Sequence, residues 1–146
     1  MTQLTPVGAA DLDAVRTILQ AAGLPTDGVA DQFGPGWAVA RDEAGVPIGA
    51  AGVERYGTSG LLRSVAVLPA WRGTGVGGAL ARDRIAWARA QGLDALYLLT
   101  DTAAEYWPRF GFHPIVRETA PAAVRASVEW AHCCPQSAVA MACELD

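Results

Sequence analysis

The sequence contains no lysine, and all eleven of its basic residues are arginines. A Walker-type phosphate loop needs its lysine and a Schiff-base enzyme needs a lysine amine, so both classes are excluded. The formal net charge of −4 argues against nucleic acid as the main partner. No apolar run approaches the roughly 20 residues that span a bilayer, so we expect no membrane partner.

Cysteine is also scarce, and Cys133, Cys134 and Cys143 form neither a C-x-x-C pair nor a zinc spacing. Adjacent cysteines rarely bridge each other, so we expect reduced thiols. We also expect no metal, and a cytoplasmic protein without a signal peptide. The run His132-Cys133-Cys134 leaves soft-metal or arsenical ligation open, because thiols bind such species. Packing is the favoured interpretation, since neighbouring side chains diverge.

The length of 146 residues and the absence of a linker predict a single domain over 1–146. Apolar periodicity and turn residues predict a strand, a helix from Asp11, a three-strand meander, and then alternating strands and helices. The segments are strands at 4–7, 37–41, 48–56, 61–67, 95–99, 114–117 and 138–145, and helices at 75–91, 103–110 and 121–131. This order predicts an α/β fold with a mixed, mostly antiparallel sheet flanked by helices.

The stretch 71-WRGTGVGGAL-80 has three interpretations. Gly73, Gly75 and Gly78 spell the dinucleotide fingerprint G-x-G-x-x-G, with Asp101 placed as a ribose-binding acid. The long meander before the glycines, the short remainder after Asp101 and the insert 68-LPAW-71 weigh against this interpretation. Arg72, Gly75 and Gly77 instead spell R-x-x-G-x-G, an acyl-CoA pyrophosphate loop. Glycines that only permit tight packing are the third interpretation.

The runs 61-LLRSVAVLPAWRGTGVGGAL-80, 96-LYLLT-100 and 103-AAEYWPRFGF-112 resemble the GNAT family of N-acetyltransferases, over about residues 3–118. The resemblance implies a sheet splayed at the acyl-CoA site and a loop whose main-chain N–H groups bind the pyrophosphate of acetyl-CoA. The implied loop residues are Arg72, Gly73, Thr74, Gly75, Val76, Gly77 and Gly78. The preceding strand, at Val65, Ala66 and Val67, is implied to pair with the pantetheine arm and to aim a donor at the thioester carbonyl.

Physical chemistry is consistent with these implied roles. A bulky phosphate reaches backbone donors only where side chains are absent, and donors at the carbonyl would stabilise a tetrahedral oxyanion. Arg72 adds a positive charge near the phosphates, although a solvated surface arginine is the alternative interpretation. Residues 117–141, with 61–67 and 96–103, further resemble a GNAT branch linked to arsenic resistance.

The sequence indicates the general acid and the general base of the reaction less clearly than the acetyl-CoA loop. In the family resembled, a tyrosine four residues before the Gly-Phe serves as general acid, and this chain has Trp107 there. Its neighbour Tyr106 is the candidate acid, although one helical step turns it by about 100°. Solvent is the alternative proton source. A glutamate base early in the strand is replaced by Leu61.

Glu54 and Arg63 are the remaining candidates. If 57-GTSG-60 is the turn, antiparallel pairing places Glu54 opposite Arg63, on the face that also carries Val65 and Val67. One interpretation is a structural ion pair, which makes Glu54 a poor base. In the other, Arg63 holds a substrate carboxylate while Glu54 holds the amine or an activating water.

The sequence therefore predicts an enzyme that transfers acetyl from acetyl-CoA to the amine of a small acceptor, an amino acid or similar zwitterion. Direct attack is expected, because no cysteine or serine lies in a recognisable nucleophile setting. The alternative is an acetyl-CoA-binding sensor of the same fold without turnover. A link to arsenic stays open, and we expect a monomer or homodimer.

Overall fold

The computed structural model describes residues 2–133 and 137–145. Its seven strands form one sheet in the order β1-β2-β3-β4-β5-β7-β6. The strands are β1 (Gln3–Pro6), β2 (Trp37–Arg41), β3 (Pro47–Tyr56), β4 (Ser59–Val67), β5 (Ala95–Thr100), β6 (His113–Ile115) and β7 (Val139–Glu144). The α-helices are α1 (Leu12–Ala21), α2 (Val76–Ala90) and α3 (Ala122–Arg125). None of the described helices has the length and hydropathy needed to cross a bilayer.

The topology confirms the predicted mixed, mostly antiparallel sheet. β4 and β5 pair in parallel, and the other five neighbouring pairs are antiparallel. A dinucleotide-binding sheet is mostly parallel and doubly wound, with its glycine turn directly after a strand. Here a 3-10 turn, Pro69–Trp71, lies between β4 and the glycines. The dinucleotide interpretation is therefore wrong for this fold.

Helices cover both faces of the sheet because each has an apolar side to bury. α1 buries Val15, Ile18 and Leu19 in a cluster that includes residues of β2 and β3. On the opposite face, α2 buries Ala81 and Ile85 in a cluster that includes residues of β3 and β4. Full burial of each large apolar side chain stabilises the fold by about 1.5–3 kcal/mol. The two helices thereby fix β3 and β4 as the centre of the molecule.

The hairpin between β3 and β4 differs from the predicted register. Its turn contains two residues, Gly57 and Thr58, so Tyr56 pairs with Ser59 and Glu54 pairs with Leu61. The prediction that Glu54 lies opposite Arg63 is wrong by two residues. A shift of two residues leaves each side chain on its original face of the sheet. Glu54 and Arg63 therefore still share a face.

A β-bulge in β4 overturns a second register prediction. The pairs Gly52–Arg63 and Ala50–Ala66 enclose two residues of β4 but one of β3. Ser64, inside the bulge, has a φ of +60°. The extra residue reverses the alternation of side chains. Val65 and Val67 pack on the face that carries α2, whereas Arg63 lies on the other face; the expectation that all three share a face is wrong.

The later helices are shorter than predicted. The expected helix at 103–110 is a 3-10 turn at Trp107–Phe110, which ends at Gly111 with a φ of +97°. The expected helix at 121–131 is divided into α3 and a π-helical turn at Glu129–Cys133. Cys134 and the side chains of His132 and Cys133 lie outside the described residues, so the ligation hypothesis stays a prediction.

We predict that Gly52→Ala destabilises the fold because β3 packs directly on an aromatic ring. A Cβ at Gly52 would overlap the indole ring of the fully buried Trp37. Overpacking of this kind destabilises by about 1–3 kcal/mol, measurable as a lower urea midpoint. Gly34→Ala is the control, since a Cβ there meets no atom within 4 Å. Equal midpoints for the two variants would contradict the prediction.

Candidate functional site

The candidate site opens where β4 and β5 separate. The two strands pair over three residues each, Ser59–Leu61 with Ala95–Tyr97, and beyond them no pairing is recorded. A cleft of about 1020 Å³ lies between the diverging ends, with 62–67 on one side and 98–103 on the other. The predicted splay of the sheet is therefore present.

Separation leaves one edge of β4 facing the cleft. On its other side the same segment pairs with β3, at Arg63, Ala66 and Val67. A strand edge without a neighbour exposes N–H and C=O groups that another extended chain can bind. Val65, Ala66 and Val67 line the cleft, so this edge lies within reach of a ligand there.

The glycine loop forms the next wall of the cleft. Gly73 and Gly75 have φ values of +77° and +88°, a conformation that side chains rarely adopt. A Cβ at either position would enter open space, with no atom within 4 Å. Gly75 caps α2, whose first turn from Val76 lines the same cleft. Unpaired N–H groups and the helix dipole favour an anion at this end.

Three arginines surround this end of the cleft: Arg72, Arg82 and Arg109. The guanidinium of Arg82 lies 5.8 Å from the ring centre of Phe110, and that of Arg109 lies 4.5 Å from the ring centre of Tyr106. These stacking contacts hold long side chains beside the loop. The arginine charges and the dipole of α2 therefore both favour an anion at this end of the cleft.

Tyr106 lines the cleft opposite the loop. Its hydroxyl oxygen lies 3.6 Å from where a Cβ on Gly78 would be, and 3.9 Å from that of Gly77. The ring packs edge-on against Trp107, which also lines the cleft but is largely buried in the core. Tyr106, and not Trp107, therefore carries a hydroxyl at this position.

A charged cluster lies on the other side of β4, centred on the fully buried side chain of Arg63. Its Nη1 donates to Oε2 of Glu54 at 3.2 Å, and its Nε lies 3.6 Å from Oε1 of Glu129. Nε also donates to Oγ of Ser64, and Tyr56 donates its hydroxyl hydrogen to Glu54 at 2.6 Å. A buried guanidinium thus has two carboxylate partners.

The two carboxylates of the cluster differ in their surroundings. Arg63 and Glu129 line the cleft, whereas Glu54 is not among the lining residues. Burial raises the pKa of Glu129 to about 7; the Arg63 charge opposes the shift and the Glu54 charge adds to it. Burial and the adjoining Glu54 carboxylate also raise the pKa of Tyr56. Glu129 is thus a carboxyl group that changes charge near neutral pH.

Comparison of the sequence with known families decides the assignment. The profile of the Acetyltransferase (GNAT) family matches residues 12–112, which include the glycine loop and both strands beside the cleft. The chain belongs to the GNAT family. No protein with a curated description matches it in sequence.

Solved structures share the GNAT fold of this chain. N-acetylglutamate synthase from Neisseria gonorrhoeae, with coenzyme A and N-acetyl-glutamate, superposes with a TM-score of 0.83 at 16% identity, over 100% of this chain and 35% of that one. A GNAT acetyltransferase from Staphylococcus aureus gives 0.82 at 14% identity, over 100% of both chains. The ribosomal-protein-S18-alanine N-acetyltransferase from Escherichia coli gives 0.78 at 19%, over 100% and 95%. The chain thus spans about a third of the synthase.

The fold brings most of the predicted GNAT site residues to one cleft. The loop and strand residues Val65, Ala66, Val67, Arg72, Gly73, Gly75, Val76, Gly77 and Gly78 line it, as do Arg63 and Tyr106. Thr74 is exposed beside them, and its hydroxyl donates to the carbonyl oxygen of Trp71. Glu54 and Arg63 form an ion pair, which is one of the two interpretations of these residues. Among the described residues, no group of three His, Cys, Asp or Glu side chains forms a metal site.

Sequence reasoning missed Glu129, Ser64 and the two arginines Arg82 and Arg109. Glu129 lies in the apolar run 127-SVEW-130, and a carboxylate among apolar residues is the signal that could have drawn attention to it. Its partner Arg63 is 66 positions earlier in the sequence, so no local pattern connects them. The positive φ of Ser64 has no sequence signature.

We predict that Glu129→Gln changes how stability depends on pH. The folded protein holds the Glu129 proton more tightly than the unfolded chain, whose pKa is near 4.5. Stability from this group is complete below pH 4.5 and falls as the pH rises towards 7, in total by about 3 kcal/mol. The Glu129→Gln variant should not show this decrease of stability with rising pH. Urea unfolding of the parent and the variant from pH 4.5 to 7.5 measures this pH dependence of the free energy of unfolding, with the exposed Glu118→Gln as control. A difference between parent and variant that does not change with pH would contradict the prediction.

Proposed function

We propose that the cleft binds acetyl-CoA and that the chain transfers its acetyl group to the amine of a small acceptor by direct attack. The observation that carries the proposal is the parting of β4 and β5 beside a glycine loop that opens a helix. One site thus offers strand-edge donors, an anion-binding helix end and a cleft of about 1020 Å³. The GNAT family assignment agrees with this chemistry.

The glycine loop would hold the pyrophosphate. The proposed contacts are main-chain N–H groups from Arg72, Gly73, Thr74, Gly75, Val76, Gly77 and Gly78. Their support is the open space at Gly73 and Gly75, which a Cβ would enter. Oriented N–H groups and a helix N-terminus together favour a phosphate. The Arg72 charge at the cleft adds to this attraction.

The free edge of β4 would hold the pantetheine arm. An extended chain with amide groups can add to such an edge as another strand would. The proposed partners are Val65, Ala66 and Val67, which line the cleft. A main-chain N–H at the end of this row would face the thioester carbonyl and stabilise the oxyanion formed on attack.

Arg63, Glu54 and Tyr106 are proposed to serve the acceptor and the leaving group. The neutral amine forms a C–N bond to the carbonyl carbon and the C–S bond breaks. The thiolate takes a proton from the Tyr106 hydroxyl or from solvent, and the N–H proton that the amine loses replaces it. Arg63 lines the cleft, and Glu54, which accepts a hydrogen bond from Tyr56, would keep its guanidinium oriented. Glu54 would then act through Arg63.

The acceptor is proposed to be an amino acid or a similar zwitterion. The similar synthase was crystallised with N-acetyl-glutamate, an acetylated amino acid, which supports this class. The sequence resemblance to the arsenic-resistance branch extends the proposal to arsenic-containing amines. A cytoplasmic location, a single domain over 1–146 and a monomer or homodimer stay predictions.

Turnover tests the proposed function. Purified protein with acetyl-CoA and a panel of amino acids, amino-acid amides and one arsenical amine should release CoA faster than the amine-free control. Mass spectrometry should find an acceptor heavier by one acetyl group. Saturable acetyl-CoA binding without acceptor-dependent release would instead favour a non-catalytic sensor, for which the missing hydroxyl at Trp107 is the motivating observation.

We predict that Gly75→Ala weakens acetyl-CoA binding, whereas Gly45→Ala, which strains the backbone in the same way, does not. The φ of +88° strains an alanine by about 1–2 kcal/mol, and the new methyl group occupies space needed by the phosphates. Gly45→Ala is a matched control, with a φ of +83° in the hairpin between β2 and β3, away from the cleft. Calorimetry should show affinity at least tenfold lower for Gly75→Ala alone. Equal affinities of both variants would argue against the loop as the phosphate site.

A further inference from the structure

The charged cluster beneath the cleft contains more negative than positive charge. One guanidinium, Arg63, faces two carboxylates, Glu54 and Glu129. When both are ionised, the buried group carries a net charge of about −1. Uncompensated charge in a buried position is unfavourable, so the cluster either keeps a proton or binds a cation.

The contacts of the cluster show which carboxylate has the weaker compensation of its negative charge. Glu54 accepts hydrogen bonds from both Arg63 and Tyr56, at 3.2 and 2.6 Å. Glu129 has Arg63 as its only ion-pair partner among the described residues, at 3.6 Å, and its side chain is 7% exposed. Glu129 lines the cleft, so a ligand there can reach the carboxylate with the weaker charge compensation.

We infer that Glu129 binds the acceptor as an ammonium ion and takes the proton that the amine must lose before attack. This inference rests on the proposed acetyl transfer and names a base for it. An N–H bond of the ammonium breaks, an O–H bond forms on the Glu129 carboxylate, and the neutral amine is left in the cleft. The amine then forms the C–N bond as the C–S bond of the thioester breaks, its second N–H proton replaces the one given to the thiolate by Tyr106 or solvent, and the protonated Glu129 releases its proton to solvent.

The electrostatics of Glu129 suit a base. A general base works best when its pKa lies near the operating pH, and burial places that of Glu129 at about 7. Among the side chains that the structure describes, the charged groups that act on it are Arg63 from β4 and Glu54 from β3. Tyr56 donates to Glu54, and the loop after α1 contributes the Pro25 carbonyl oxygen to Arg63. An ammonium ion beside Glu129 would restore neutrality to the cluster.

Three of the five N–H groups of Arg63 donate within the protein. Its Nε donates to Ser64, Nη1 to Glu54 and Nη2 to the carbonyl oxygen of Pro25. An acceptor that offers only a primary ammonium should therefore suffice. Amino-acid amides should be acetylated about as well as the free amino acids, because recognition lies in the amine.

Glu129→Gln tests the inference with little change of shape. The parent, assayed with L-alaninamide, should show kcat/KM that rises with pH through an ionisation near 7. The variant should lose that limb of the pH profile and about 10²–10⁴-fold in kcat/KM, the range expected for a lost general base. Its affinity for acetyl-CoA should stay within twofold of the parent, which shows that it is folded. Glu118→Gln, an exposed carboxylate, is the matched control.

A variant that keeps the parent's kcat/KM and pH limb would overturn the inference. A loss of rate with the limb intact would also overturn it, because that result indicates a purely structural role.

A second measurement does not need turnover. Carbon-13 spectra of protein labelled at glutamate carboxyl groups should show one resonance that titrates near pH 7 and is missing in Glu129→Gln. L-alaninamide should lower its pKa, since an ammonium ion favours the charged carboxylate. If the parent releases no CoA but L-alaninamide still lowers this pKa, Glu129 binds the ammonium ion and the proposed acetyl transfer is wrong. If L-alaninamide leaves the resonance unmoved, the inference itself is wrong.

Discussion

The site depends on the separation of two parallel strands part-way along their length. β4 and β5 share three residue pairs and then diverge, which leaves main-chain donors and acceptors of β4 without a neighbouring strand. In most sheets such an edge is covered or blunted, because it attracts other chains. Here helices α1 and α2 anchor β3 and β4 from both faces, so the open edge persists inside a well-packed fold. The cleft and its backbone donors both result from this divergence.

The bulge at Ser64 allows neighbouring residues of one strand to serve different parts of the site. Before it, Arg63 belongs to the charged cluster; after it, Val65 and Val67 pack on the α2 side. An uninterrupted strand would have placed these side chains on one face. The positive φ of Ser64 indicates local strain, which is often found where a fold places functional groups. Ser64 also accepts a hydrogen bond from the arginine beside it.

Charge is distributed unequally between the two ends of the cleft. At the loop end, the dipole of α2 and three arginines favour an anion. At the cluster end, two carboxylates share one buried guanidinium, which favours a cation. A cleft that attracts an anionic carrier at one end and an ammonium ion at the other suits the union of a phosphate-bearing donor with an amine. The family assignment agrees with that chemistry.

The sequence by itself determined the fold class and the helix after the glycine loop, and it placed Glu54 and Arg63 on one face of the sheet. These depend on local information: apolar periodicity, glycines at positive φ and two charges on neighbouring apolar strands. Tertiary structure alone decided the bulge, the two-residue hairpin turn and the arrival of Glu129 beside Arg63. Strand register is set by packing across the sheet, and Glu129 reaches β4 only through the path of the chain after β6. Contacts between residues far apart in sequence leave no pattern in either segment.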